Sequence, residues 1–117
     1  MAQTLSDHAT DPTAVPATSD DRFTADVLES EQPVLVDFWA AWCPPCRAMR
    51  PVLAAIAAER DDIRIVSLDC DTQQETAMRY GILSMPTFVL FRGGEPVMRV
   101  VGSRPKGRLV KEIEAVL

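Results

Sequence analysis

The chain is poor in the side chains that much enzyme chemistry uses. Its 117 residues include one histidine, one tyrosine and three cysteines. The lone histidine, His8, lies in a polar N-terminal stretch, so neither a His-based triad nor a His-containing metal cluster can be assembled from this chain alone. Positive charge is also scarce. The net charge is −5 and no basic stripe interrupts the acidic balance, which disfavours binding to a phosphate backbone, so no nucleic-acid partner is expected. No apolar run is long enough to cross a bilayer, and residues 1–19 lack the positive opening and apolar centre of a secretory signal. The expectation is a cytoplasmic protein with no membrane partner. There is no Gly-rich dinucleotide fingerprint, and three cysteines are too few for a framework of structural disulfides.

What is present centres on Trp42-Cys43-Pro44-Pro45-Cys46. Two cysteines separated by two residues follow the apolar run Val34 to Ala40 and precede a helical pattern, which reads as a dithiol at a strand-to-helix joint. The length suits one domain, with an ordinary globular composition of 47% apolar and 25% charged residues. Residues 1–12 are polar, without periodicity, and are expected to be a mobile tail; residues 13–117 are expected to form the domain, as a monomer.

Along that domain, Thr13 to Ala17 reads as a short strand, irregular or at a sheet edge because of Pro16. A cap at Thr18 or Ser19 opens a short helix that turns Phe23, Val27 and Leu28 inward, and Gln32-Pro33 ends it. Val34 to Phe38 is apolar on both faces apart from Asp37, as expected of a central strand covered from both sides. Met49, Val52, Leu53, Ile56 and Ala57 mark an amphipathic helix running to about Arg60, bent but not ended by Pro51. Ile63 to Leu68 is the next strand. Asp71 or Thr72 caps a helix through Tyr80, and Gly81 ends that helix in a left-handed conformation. Thr87 to Arg92 and Pro96 to Val101 form a hairpin about Gly93-Gly94, and a last helix runs from about Pro105 to Val116 with Leu109, Ile113 and Val116 on one face. The order β-α-β-α-β-α-β-β-α specifies an α/β fold with a central mixed sheet flanked by helices on both faces.

If Cys43 precedes the first helical turn, free backbone N–H groups and the helix dipole favour its thiolate, the attacking species in disulfide exchange. Cys46 then sits one turn away, placed to resolve a mixed disulfide. Pro44 and Pro45 stiffen the loop between them and offer no N–H to the sulfurs. The other readings of the pair are a structural disulfide or half of a zinc site, for which only Cys70 and His8 remain as further ligands. No metal and no bound cofactor is expected. Asp37, the ionisable residue of an apolar strand, is either a satisfied structural acid or a proton carrier whose pKa is raised by burial. Cys70 is read as a small buried hydrophobe or, if exposed, a regulatory thiol.

The sequence over roughly residues 20 to 117 resembles the thioredoxin family. The resemblance rests on Phe38-Trp39-Ala40 before Trp42-Cys43, Pro51 five residues past Cys46, Tyr80-Gly81-Ile82, Met85-Pro86-Thr87, Gly93-Gly94 and Val101-Gly102. It implies the thioredoxin fold and a protein-disulfide reductase in which Cys43 attacks, Cys46 resolves and Asp37 moves protons to and from Cys46. It further implies a cis-proline at Pro86 and an apolar rim of Trp42, Met85, Pro86 and Gly102 for an extended substrate segment, with Trp39 packed near the site. Its implied partners are disulfide-containing proteins and a flavoenzyme resembling thioredoxin reductase. The alternatives within the same fold are an electron donor to one dedicated partner and a non-catalytic binding module. Two departures stand out. Pro44 replaces the usual glycine, which displaces the redox potential in a direction the sequence leaves open, and Ser67 stands where many members have a lysine near the buried aspartate.

Overall fold

The structure is a computed structural model and describes residues 15–117. The tail expected over residues 1–12, with His8, lies outside the described residues, as do Thr13 and Ala14.

Four strands form one mixed sheet in the order β2-β1-β3-β4, with β1 at Val34–Trp39, β2 at Arg64–Asp69, β3 at Thr87–Arg92 and β4 at Glu95–Val101. β1 runs parallel to β2 and antiparallel to β3, and β3 pairs antiparallel with β4. Four helical segments flank them: α1 (Thr24–Leu28, a single π-helical turn), α2 (Pro44–Glu59), α3 (Gln74–Arg79) and α4 (Lys106–Glu114). The mixed sheet with helices on both faces is the architecture expected from the sequence.

Strand alternation explains why β1 is apolar on both sides. Val34, Val36 and Phe38 face one core with Phe23, the N-cap of α1, Val27 from α1, Ala77 from α3, and Val66, Leu68, Val89 and Phe91 from the neighbouring strands. Leu35 faces the other core, formed by Met49, Leu53 and Ile56 of α2, Leu109 and Ile113 of α4, and Ile65, Phe88 and Leu90. Phe23, Tyr80 and Phe91 meet with ring centroids 5.1 to 5.6 Å apart and lock the first core. Truncating fully buried Phe23 or Phe91 to alanine costs about 3 kcal/mol or more.

Several expectations change in detail. The first strand reduces to one parallel bridge, Ala17 with Ser67, held by Thr18 N–H to Ser67 O (2.8 Å) and Ser67 N–H to Pro16 O (2.9 Å). Pro16 has no N–H with which to extend the ladder. α3 is not capped by Asp71 or Thr72. The carboxylate of Asp20 instead accepts from the N–H and hydroxyl of Thr76 (2.8 and 2.6 Å) and from Glu75 N–H (3.3 Å), while Asp20 N–H donates to Gln73 Oε1 (2.8 Å). This is the reciprocal logic of a capping box, supplied from a distant part of the chain. α4 ends at Glu114, with Val116 packed partly against the core.

Elsewhere α2 runs unbroken through Pro51 and Gly81 ends α3 with φ +65°, whereas the cap expected at Thr18 or Ser19 is not that of α1: Ser19 Oγ accepts from Arg22 N–H at 3.2 Å in the preceding turn, and Phe23 is the N-cap, with no side-chain cap. Gly93 and Gly94 turn the β3–β4 hairpin with φ +60° and +81°. Among the described residues no helix is long and apolar enough to cross a membrane.

Candidate active site

β1 delivers the chain to the start of α2, and the joint between them is built around Cys43. This residue is the N-cap of α2, with extended backbone (φ −100°, ψ 103°), and Pro44 and Pro45 occupy the first two helical positions. An α-helix leaves its first N–H groups without internal partners, so proline at these positions sacrifices no helical bond. The first N–H that α2 offers is therefore that of Cys46, and it donates to Cys43 Sγ at 3.2 Å. The two cysteines are joined as a disulfide with Cα atoms 5.3 Å apart. Both are buried, Cys43 at 3% exposure and Cys46 at 2%, against Ala40, Trp39 and Met85.

The opposite wall comes from the approach to β3. The Met85-Pro86 bond is cis, and the Met85 carbonyl oxygen lies 3.5 Å from Cys43 Sγ. Gly102 N–H donates to the Pro86 carbonyl at 2.8 Å, with Gly102 at φ +92°. Trp42 is 65% exposed beside the disulfide, Met85 and Gly102 are half-buried, and Pro86 is buried. The fold thus gathers Trp39, Cys43, Cys46, Met85, Pro86 and Gly102 about one point, with Trp42 standing out from it. Leu83, two residues before Met85, is also strongly exposed, and nothing in the periodicity of the sequence marks it.

Asp37 lies beneath this joint on the α2 side of the sheet. Strand alternation puts it on the same face as Leu35 and Trp39, and the register places Ser67 of β2 and Phe88 of β3 beside it. Its side chain is buried, and among the described residues Oδ1 has no hydrogen-bond partner. Burial pushes its pKa up to about 7, opposed by the positive charge of Arg50. Arg50 was not among the residues marked by the sequence. It is an exposed residue of α2, with Cζ 5.1 Å from the centroid of the Trp39 ring.

Cys70 is buried at the end of β2, and its thiol is pushed up to about 12 by burial and by the negative charges of Asp69, Asp37 and Asp71. A thiol so held is protonated at neutral pH and serves as a small apolar filler.

A buried cysteine pair, here as a disulfide, on a helix N-terminus, with a carboxyl beneath it and an exposed indole beside it, can carry out thiol-disulfide exchange. Comparison with known proteins agrees. The family model described as "Thioredoxin" matches residues 14–115. A thioredoxin of Mycobacterium tuberculosis is 48% identical over 100 residues, covering 85% of this chain and 86% of its own. A thioredoxin of Streptomyces clavuligerus is 50% identical over 93 residues, covering 80% and 87%. A bifunctional thioredoxin reductase/thioredoxin of Mycobacterium leprae is 47% identical over 100 residues, covering 85% of this chain and 22% of that one.

Proposed function

Because the chain belongs to the thioredoxin family and is a thiol-disulfide oxidoreductase, we propose how its residues divide the reduction of a protein disulfide between them. Cys43 is the nucleophile. The observation that carries this assignment is its place as N-cap of α2, where the Cys46 N–H and the helix dipole stabilise negative charge on Sγ.

With the pair reduced, the Cys43 thiolate attacks one sulfur of the substrate disulfide. A Cys43–substrate bond forms and the other substrate sulfur leaves as a thiolate. Asp37, as carboxylate, takes the proton of the Cys46 thiol, directly or through water. Cys46 then attacks Cys43 Sγ, closes the intramolecular disulfide and expels the second substrate thiolate. Two electrons pass from the dithiol to the substrate, and the two dithiol protons balance the two thiols formed. Pro44 and Pro45 hold the two sulfurs in register by stiffening the turn, and Trp39 packs against them.

Trp42, Met85, Pro86 and Gly102 form the docking rim, with the Met85 backbone beside an extended substrate segment. Members of this family act on disulfide substrates and are served by thioredoxin reductases. For this chain the reductant is a reductase-type flavoenzyme, a reading supported by the relative that joins reductase and thioredoxin in one polypeptide. Residues 13–117 act as one domain, as a cytoplasmic monomer.

Turbidimetric reduction of insulin disulfides, with dithiothreitol as electron source, tests the assignment. The wild-type protein accelerates the reaction and Cys43→Ser does not. A variant as active as the wild type would overturn the role given to Cys43.

A further inference from the structure

We propose that Arg50 is a positioning residue for the proton chemistry of the site: its guanidinium, seated on the Trp39 indole one helical turn beyond Cys46, supplies the positive field that keeps part of the Asp37 population ionised and so sets the pH at which Cys46 is deprotonated. The second half of this statement rests on the role given above to Asp37.

The geometry comes from two periodicities. Cys46 and Arg50 are four residues apart on α2 and therefore stack on one face of the helix. Asp37 and Trp39 are two residues apart on β1 and therefore share one face of the strand. Trp39 packs against the cluster that holds Cys46 with Ala40 and Cys43, and the Arg50 guanidinium lies 5.1 Å from the Trp39 ring centroid, so these two faces meet. The indole anchors the cation by its negative π face, and this confines a side chain that would otherwise wander over the surface of α2.

Burial opposes the Asp37 charge, and among the described residues no hydrogen bond to Oδ1 offsets it. From β2, Ser67 stands beside it and Asp69 follows on the same face, with Cys70 next in the chain; from β3 its neighbour is Phe88, which is apolar. From α2 the titratable and charged groups are Cys46 and Arg50. Arg50 is the cation of this set, and it is exposed, so its charge carries no burial penalty of its own.

The test follows the Asp37 side-chain carboxyl by carbon NMR across pH in the oxidised protein, in which no exchange reaction occurs. Arg50→Met keeps the aliphatic stem over Trp39 and removes the charge; Arg50→Lys keeps a charge. The Asp37 midpoint rises by roughly half to one pH unit in Arg50→Met, and Arg50→Lys restores most of that displacement. The pH profile of the resolving step, measured by stopped flow on the reduced proteins, moves by the same amount. An Asp37 midpoint in Arg50→Met equal to that of the wild type would overturn the proposal. The underlying role of Asp37 is checked separately: an Asp37→Asn protein that resolves the mixed disulfide at the wild-type rate would remove Asp37 from the proton path while leaving the NMR displacement to stand or fall by itself.

Discussion

The backbone nitrogen of Cys46 lies 3.2 Å from Cys43 Sγ and donates to it, so the residue proposed to resolve is also the one whose backbone stabilises the sulfur proposed to attack. The two contributions are separable, because the stabilisation belongs to the backbone and the resolution to the side chain.

Cys46→Ser should retain a reactive Cys43 and lose resolution. Incubated with a disulfide-bearing protein, this variant should accumulate about one equivalent of mixed disulfide per chain. Intact-mass analysis would show the adduct and its release by dithiothreitol, whereas Cys43→Ser should capture none.

The buried carboxyl of Asp37 should make stability fall as pH rises. Its folded pKa, about 7, lies above the unfolded value near 3.9, so between about pH 4 and 7 the folded state holds a proton that the unfolded state has released. Each pH unit between the two midpoints is worth about 1.4 kcal/mol. Asp37→Asn should flatten this part of the profile, gaining on the wild type as pH rises through that window and showing no further gain above it. Urea denaturation of both oxidised proteins at pH 4, 6 and 8 measures the difference; parallel profiles would contradict it.

Asp20→Ala should destabilise the fold by about 1 to 2 kcal/mol, since it strips the cap from α3 and leaves the Thr76 N–H and hydroxyl without their acceptor. Those hydrogen bonds, led by the one from the Thr76 hydroxyl, hold the Asp20 carboxyl below its usual pKa. The cap is therefore at full strength above about pH 4 and is lost as pH falls through the lowered value. Thermal melts at pH 7 should separate wild type and variant, and the gap should narrow on acidification.

Gly94→Ala should be costly at a position that looks like an ordinary turn. Gly94 has φ +81°, and an added Cβ would lie 3.0 Å from the carbonyl oxygen of Leu28. A left-handed non-glycine residue alone costs about 1 to 2 kcal/mol. Gly93→Ala, with φ +60° and open space around it, should cost less. Denaturation midpoints of the two variants give the comparison.

Most of the sheet was legible because burial on two faces leaves a nearly continuous apolar record, as in Val34 to Phe38, interrupted by Asp37, and Phe88 to Phe91. The ends of elements were less so. The cap of α3 is Asp20, whose hydrogen bonds to Thr76 span 56 residues, and local capping rules see only Asp71 and Thr72. Thr13 to Ala17 read as a strand on composition, yet Ala17 makes a single bridge because Pro16 halts the ladder. At the site, the dithiol and Asp37 announced themselves by residue type in an unusual setting. Arg50 did not, since an arginine on the wet side of an amphipathic helix is unremarked until the helix is laid across β1. Leu83 was missed for a similar reason: its exposure depends on the path of the loop before Met85.

The disulfide joins two residues three apart within the opening turn of one helix. Closing or opening it ties no second element to the first, so neither sheet nor core must be rebuilt as the electron pair comes and goes. A partner that has to tell the charged carrier from the spent one therefore receives almost no message from the outline of the molecule. It must read the difference from a few atoms, two sulfurs and the groups that touch them, which puts discrimination in the chemistry of exchange rather than in recognition at a distance.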